Sequence, residues 1–169
     1  MLPVRIQPLQ GEREEMAELQ RVLEEAPEYA ERVTGAPPGA ADAQSIYTIL
    51  PEGKTYEDKF VFGVFAGERM VGCVDLIRGY PTSDTAYLGL VLVSEQFRRQ
   101  GIGSATLELV EDYVQGWPEC KRLRLAVVRT NEEVIPFFLR HGFEPTGEIR
   151  PYRYSNVESE SILFERRLG

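Results

Sequence analysis

The sequence predicts an α/β fold in which helices cover both faces of a mixed β-sheet. Three observations support this class: short apolar runs of strand length recur along the chain, segments with a helical period of apolar residues stand between them, and Gly and Pro mark the joints. The predicted order of elements is β-α-α-β-β-β-α-β-α-β-β. The chain has 169 residues and no linker-like break, so residues 1–169 are predicted to form a single domain.

The N-terminal part of the chain is predicted to hold one strand followed by two helices. Residues 4–9 form the strand. Residues 12–26 form the first helix, because their apolar side chains recur on one helical face. Residues 36–39 form a loop, and a second helix over residues 42–50 ends before Pro51. The apolar face of the first helix consists of Met16, Leu19, Val22, Leu23 and Ala26.

The middle of the chain is predicted to hold three strands and a helix. The apolar runs at residues 59–66 and 70–78 flank Gly67-Glu68 and indicate a β-hairpin. Residues 85–93 form a further strand, and residues 101–115 form an amphipathic helix. The aligned apolar side chains of this helix are Ile102, Ala105, Leu109, Val110 and Tyr113.

The C-terminal part is predicted to complete the sheet. Residues 122–128 form a strand, and residues 131–141 form a helix that Gly142 closes. Pro136 removes one backbone donor inside this helix, so we expect a bend or a late helix start. The last two predicted strands, an antiparallel pair, are residues 143–149 and 161–167.

The charge balance and composition exclude several kinds of partner. The chain carries 19 basic and 27 acidic residues, for a net charge of −8, which repels a nucleic-acid backbone. Its apolar runs are too short to span a bilayer, and its polar start lacks the apolar core of a signal peptide. We therefore expect a cytoplasmic protein with no membrane partner. Cys73 and Cys120 form no metal or redox motif, and with a single histidine no metal is expected.

The most informative segment is residues 87–104. A buried strand leads into a polar turn, and the turn opens a helix whose first residues include Gly101 and Gly103. The unpaired N–H groups and the dipole of a helix start attract anions. The two glycines allow a phosphate to approach closely, and Arg98 and Arg99 add positive charge. The segment therefore predicts a pyrophosphate-binding cradle.

Glycines at the start of a helix also occur where no ligand binds, and in nucleotide-binding motifs. Gly101 and Gly103 could serve helix packing alone. A dinucleotide-binding motif would need a third glycine where Thr106 stands, and it would need a glycine directly after the strand, whereas residues 94–100 intervene here. The Gly-Lys-Ser/Thr ending of the Walker motif is absent from the segment.

Two motifs at a fixed separation point to the same family. The first is the spacing Arg98-x-x-Gly101-x-Gly103 after an apolar strand, and the second is Asn131, an apolar helix face, and then Gly142-Phe143. Both motifs and the element order resemble the GNAT superfamily of acyl-CoA-dependent N-acetyltransferases. The resemblance implies a mostly antiparallel central sheet that splays at the coenzyme strand, and Gly89 is compatible with a bulge there.

The resemblance also implies acetyl-CoA as the acyl donor and cosubstrate. Main-chain groups of Val91 and Val93 would meet its pantetheine arm. Asn131 would contact the same arm, although it could also serve as the N-cap of its helix. The complete set of implied coenzyme-binding residues is Val91, Val93, Arg98, Arg99, Gln100, Gly101, Ile102, Gly103, Ser104, Asn131 and Phe138.

Amine acetylation requires a base, because an alkylamine with a pKa of about 10.4 is almost fully protonated at neutral pH. Asp75 interrupts an apolar strand and is a candidate base or substrate anchor; the alternative is a hydrogen-bonded structural group. Tyr87 occupies the position where some relatives carry a glutamate base and is the second catalytic candidate. Weaker candidates are Glu57, Asp58 and His141.

The resemblance fails at the acid that would protonate the leaving thiolate. Many relatives carry a tyrosine four residues before Gly-Phe, and Phe138 stands there in this chain. Either water protonates the thiolate, whose thiol has a pKa of about 8.5, or Tyr87, Tyr152 or Tyr154 supplies the proton. The last two tyrosines lie between the two C-terminal strands as predicted.

The sequence thus predicts an acetyl-CoA-dependent N-acetyltransferase that transfers acetyl directly to a primary amine. A catalytically weak acyl-CoA-binding sensor or interaction module is the alternative. The acceptor is a small molecule or a protein amine, and an acidic wall would suit a cationic amine; a homodimer is also considered. Candidates to line the acceptor pocket are Tyr29, Tyr47, Tyr56 and Tyr80.

Overall fold

A computed structural model describes residues 3–169 and shows one seven-stranded sheet in the order β1-β2-β3-β4-β5-β7-β6. Within residues 3–169, no helix is long and apolar enough to cross a membrane. The elements are β1 (Val4–Pro8), α1 (Arg13–Glu24), α2 (Pro27–Thr34), α3 (Asp42–Thr48), β2 (Lys59–Ala66), β3 (Arg69–Arg78), β4 (Thr85–Val93), α4 (Ile102–Val114), β5 (Arg122–Val128), α5 (Ile135–Arg140), β6 (Glu144–Tyr154) and β7 (Val157–Arg167).

The sheet is mixed and mostly antiparallel, which confirms the predicted fold class. Only β4 and β5 pair in parallel; the other neighbours pair antiparallel. The crossover between the two parallel strands contains α4, as a parallel connection requires. Strands β2, β4 and β5 have the bounds that the sequence predicts.

Helices cover both faces of the sheet because each contributes an apolar stripe. On one face α4 buries Leu107, Val110 and Val114 against the strands. On the other face α1 buries Leu19 and Val22, and α3 packs beside it. The two cores are separated by the sheet, so the two sheet faces have different surroundings.

The sheet divides at β4. Strands β4 and β5 are paired only over Thr85–Leu88 and Arg122–Leu125, and the two strands are not paired beyond these residues. In the ladder between β3 and β4, Leu76 pairs with Leu88, and the adjacent Asp75 pairs with Leu90. Gly89 is therefore an extra, unpaired residue in β4. This bulge confirms the irregularity predicted at Gly89, and it reverses the side-chain alternation of β4.

Two features of the α-helices differ from or refine the prediction. Helix α2 was not predicted; it is a short helix that begins with Pro27 and is capped by Gly35 in the left-handed conformation (φ 76°). Both residues are standard helix boundaries, but eight residues gave too weak a periodic signal. The predicted late start of the helix near Pro136 is confirmed, because residues 129–134 form a 3₁₀ turn before α5.

The last two strands are longer than the sequence indicated. Strand β6 continues to Tyr154, and β7 already begins at Val157, so a two-residue turn joins them. Tyr152 and Tyr154 therefore lie within β6 and not between the strands. Most residues of β6 are exposed, and charged residues interrupt its apolar pattern, which explains why the prediction ended early.

Candidate active site

A cleft of about 640 Å³ opens where β4 and β5 part. Leu88–Val93 of β4 form one wall, and residues 125–128 of β5 form the facing wall. Phe137 and Phe138 of α5 close one side, and α2 lies across the opening. Beyond Leu88, the edge of β4 that faces β5 has no strand partner among residues 3–169, so its main-chain groups are available to a ligand in the cleft.

The predicted anion cradle forms one end of this cleft. A 3₁₀ turn at Glu95–Phe97 is followed by Arg98, by Arg99 in the left-handed conformation (φ 65°), and by Gly101, the N-cap of α4 with φ 77°. The left-handed conformation at 101 is one that glycine adopts without strain. The N–H groups of the first turn of α4 therefore point into the cleft end beside two arginines.

Gly103 lies close to the ring of Phe137, so a side chain at position 103 would crowd this end of the cleft. A Cβ atom there would lie 3.2 Å from Cζ of Phe137. Gly103, Arg98 and Arg99 all line the cleft. These donors are suited to an anionic group such as the pyrophosphate that the sequence predicts.

Helix α2 connects the two walls of the cleft through charged side chains. Arg32 donates to Glu133 Oε2 (2.9 Å) and to Asn131 Oδ1 (3.4 Å). Glu28 accepts from Arg98 Nη1 at 3.4 Å. Asn131 is 9% exposed and is not the N-cap of α5, which is Val134. The sequence analysis missed Glu28 and Arg32, since their partners are about seventy to a hundred positions away in the chain and no local pattern links them.

Asp75 lies on β3 in the core, beside the bulge of β4. Its Oδ1 accepts from Lys59 Nζ at 2.9 Å, and the two side chains are 10% and 3% exposed. A Cβ at Gly89 would lie 2.7 Å from Asp75 Oδ2, so the missing side chain of the bulge makes room for this carboxylate. Burial raises the pKa of Asp75, while the Lys59 ammonium acts in the opposite direction. Neither cavity described here includes Asp75 in its lining.

Tyr87 lies on β4 one residue before the point where the strands part. Its ring packs edge-to-face on Tyr80 with centroids 5.5 Å apart. Burial raises the pKa of Tyr87, with Tyr80 and Asp75 adding to the rise and Arg124 and Arg150 opposing it. Tyr87 lines a second chamber of about 160 Å³ on the same sheet face as α1.

The remaining candidates are distributed over several places. His141 Nε2 lies 2.9 Å from Ser104 Oγ, near the cradle. Asp58 pairs with Lys54 and Arg78, and hydrogen bonds to these two cations lower the pKa of its carboxyl group. The four tyrosines predicted to line the acceptor pocket lie in different places. Tyr29 lines the cleft, and Tyr80 lines the second chamber. The hydroxyls of Tyr47 and Tyr56 donate to the main-chain oxygens of Leu9 and Thr48, respectively.

The hairpin of β6 and β7 contacts α2, the helix that lies across the opening of the cleft. The Tyr152 hydroxyl donates to the Val33 carbonyl of α2 at 2.6 Å, while Tyr154 is 56% exposed. Within the described residues 3–169, no cluster of three or more His, Cys, Asp or Glu side chains could hold a metal ion.

The split parallel strand pair, with an anion cradle at the start of the following helix, is the arrangement that the resemblance to acyl-CoA-dependent acetyltransferases implies. Residues 19–143 match the acetyltransferase (GNAT) family. The chain belongs to this family. The family match confirms the acyltransferase class that the sequence analysis predicted.

Individual relatives agree with this family. N-alpha-acetyltransferase 60 of Xenopus tropicalis is 34% identical over 85 residues, which are 48% of this chain and 35% of that protein; the match thus spans about a third of the relative's length. An acetyltransferase of Thermus thermophilus shares the fold with a TM-score of 0.73, 23% identity and coverage of 99% and 98% of the two chains. A GNAT acetyltransferase of Elizabethkingia anophelis with acetyl-CoA bound has a TM-score of 0.64, 16% identity and 98% coverage of both chains.

Proposed function

We propose that the protein is an N-acetyltransferase that transfers the acetyl group of acetyl-CoA directly to a primary amine. One observation carries this proposal: a single cleft joins the anion cradle to the gap between β4 and β5. In the net reaction a nitrogen–carbon bond forms and the thioester carbon–sulfur bond breaks, and the proton that the amine nitrogen loses is balanced by the one that the thiolate sulfur gains to leave as the thiol.

Acetyl-CoA, when bound, supplies the activated acetyl thioester. The main chain of Val91 and Val93 would hold its extended arm in the manner of an added strand. The cradle from Arg98 to Ser104, which includes Gln100 and Ile102, would hold the pyrophosphate. Asn131 would contact the arm once Arg32 releases it, and the Phe138 ring would pack along the cleft wall. These roles are supported by the position of most of these residues on the cleft lining.

The catalytic roles of Asp75 and Tyr87 belong to the same proposal. Tyr87 stands next to the end of the paired ladder, and its hydroxyl has no hydrogen-bond partner within residues 3–169, so it is available to an acceptor. Asp75 is close to Gly89 of the gap, and from there it would act as a base or as an anchor through an intervening water. Its pairing with Lys59 favours the anchor, because a carboxylate held by an ammonium is a weaker base.

The acceptor in this proposal is a primary amine. The name of the Xenopus tropicalis relative, N-alpha-acetyltransferase 60, specifies α-amines, so a peptide α-amine belongs in any test beside small amines. A cytoplasmic location is part of this proposal and is supported by the free cysteines Cys73 and Cys120, which suit a reducing compartment.

Two measurements test the proposal. Acetyl-CoA at a hundred times its dissociation constant should stabilise the fold by about 2.7 kcal/mol, which a melting curve detects, whereas NAD should not. Free thiol release with a panel of amines should then show turnover. Binding without turnover on any amine would favour the acyl-CoA-binding sensor, and no stabilisation by millimolar acetyl-CoA would contradict the coenzyme site.

A further inference from the structure

The second chamber lies where an acceptor would have to reach the gap in the sheet. Its floor is formed by neighbouring strands, with Arg124 and Ala126 on β5, Ser161 on β7 and Arg150 on β6, and Tyr87 stands at its side. Ala126 also lines the coenzyme cleft. Tyr87 pairs with Arg124 in the parallel ladder, one step before the ladder ends. The chamber and the cleft therefore meet at the gap.

The charged groups that face this chamber are both cationic. Arg124 and Arg150 are the charged residues of its lining within the described chain. Arg124 is 7% exposed and is held by Glu165 (2.7 Å) and Glu148 (2.8 Å). These two carboxylates are not part of the lining, so they fix the guanidinium from outside the chamber.

Arg150 retains donors for a ligand. Its Nε donates to Glu148, and its two terminal nitrogens have no protein partner within residues 3–169. Terminal guanidinium nitrogens match the oxygens of a carboxylate or phosphate. The hydroxyl of Tyr87 adds a further polar group at the side of the chamber.

We propose that the second chamber is the acceptor subsite, and that it selects a small primary amine carrying a carboxylate or phosphate group, which Arg150 binds. This inference rests on the proposed N-acetyltransferase function. A volume of 160 Å³ corresponds to about five water molecules at about 30 Å³ each, which suits the head of a single amino acid or amino alcohol phosphate. The acidic wall expected for a cationic acceptor is not what the chamber presents.

The geometry also gives the acceptor an orientation. With its anionic group on Arg150 of β6, the molecule extends across β7 and β5 toward Ala126, because these strands are neighbours in that order. Its amine then lies at the gap beside Tyr87. An amine without the anionic group would lose this anchoring, because it offers no oxygens to the free terminal nitrogens of Arg150.

Matched pairs of acceptors test the subsite. Alanine is compared with alaninamide, and 2-aminoethyl phosphate with ethanolamine, each as kcat/KM per unprotonated amine at saturating acetyl-CoA. A short peptide and a diamine complete the panel. We expect at least one anionic member to exceed its neutral partner by about tenfold or more, since hydrogen bonds to charged groups are the stronger ones. The two pairs distinguish a carboxylate ligand from a phosphate ligand.

Variants of one exposed arginine complete the test. Arg150→Met should lower kcat/KM for the preferred anionic acceptor about tenfold and leave its neutral partner within about twofold, while Arg150→Lys should restore part of the loss. The matched control is Arg153→Met on the same strand, because the Arg153 side chain is 77% exposed and pairs with Glu158. The control variant should leave kcat/KM unchanged for both the anionic acceptor and its neutral partner.

The outcomes separate this inference from the proposed function. Equal kcat/KM within both pairs, an equal loss for both members in Arg150→Met, or acetylation of only the peptide or diamine would overturn the anionic subsite and leave the N-acetyltransferase intact. Absence of turnover on every amine would overturn both. Thermal unfolding of each variant shows that a loss is not a loss of fold.

Discussion

Lys59 Nζ and Asp75 Oδ1 form an ion pair of 2.9 Å that is almost completely buried beside the gap in the sheet. Lys59 is the first residue of β2, and Asp75 lies on the neighbouring strand β3, so the sheet itself brings them together. A buried pair of this kind contributes little net stability, but the loss of one partner leaves a buried charge alone. Asp75 therefore has two effects that an experiment must separate.

Asp75→Asn is expected to lower turnover at least tenfold with acetyl-CoA binding preserved, if Asp75 is the base or the substrate anchor. It should also lower the free energy of unfolding by about 3–5 kcal/mol, because the Lys59 ammonium loses its counter-charge. Steady-state kinetics and denaturant unfolding measure the two effects.

The double variant Lys59→Met/Asp75→Leu separates them. It removes both charges and keeps the side-chain volumes similar, so stability should return to near that of the parent. If turnover also returns, Asp75 is a structural residue only; if turnover stays at least tenfold low, a chemical role is established.

Gly103→Glu is expected to abolish the thermal stabilisation by acetyl-CoA. The new carboxylate would occupy the anion cradle and would also press against the Phe137 ring, which a Cβ alone approaches to 3.2 Å. Gly169→Glu is the matched control, because it adds the same charge where no atom lies within 4 Å. A stabilisation that survives in Gly103→Glu would place the pyrophosphate elsewhere.

Glu28→Gln is expected to tighten acetyl-CoA binding about two- to fivefold. The carboxylate of Glu28 pairs with Arg98 at the cleft and would repel an incoming anion, and an exposed pair of this kind is worth up to about 1 kcal/mol. Calorimetric titration at low and high salt measures the effect, which should shrink as salt increases. Glu31→Gln, an exposed residue of the same helix, should bind like the parent; a weaker affinity in Glu28→Gln would show that the pair helps to build the site.

Replacing Tyr87, Tyr152 and Tyr154 by phenylalanine one at a time is expected to lower turnover less than about tenfold. Phe138 cannot donate a proton, and a thiolate is a tolerable leaving group that water can protonate. The Tyr152 hydroxyl is committed to Val33, and Tyr154 is exposed. A loss of a hundredfold or more at one of the three, with acetyl-CoA binding unchanged, would identify that tyrosine as the acid.

Much of the framework could be predicted because its signals are local. Strands β2, β4 and β5 are apolar runs closed by polar or glycine-containing turns, and the cradle combines two glycines with two arginines in one short segment. Helix α2 escaped prediction because its eight residues, about two turns of helix, give few periodic positions. The extension of β6 escaped because an exposed strand has no apolar alternation to reveal it.

The site was predictable only where its residues are close together in the sequence. The Asp75 carboxylate was recognised as unusual, but its partner Lys59 opens another strand, and only the antiparallel register brings it close. The chamber arginines come from β5 and β6, which a third strand separates. Arg122 and Arg124 alternate with Leu123 and Leu125 in β5, so the sequence places both arginines on one face of the sheet but does not show that Arg124 is buried.

The position of the gap also bears on how the protein is made. Strands β1 to β4 are the first four in the chain and lie together on one side of the gap, while β5, β6 and β7 lie on the other. During synthesis, β1 to β4 therefore leave the ribosome before β5, β6 and β7. At that stage β4 is an unpaired edge strand that is apolar along its length. The edge of β4 stays unpaired until the Arg122–Leu125 segment, its partner in the sheet, has been synthesised. Self-association of nascent chains should therefore begin at β4. A circular permutation that places β5 ahead of β1 would make the partner strand available when β4 emerges, and it should raise the soluble yield.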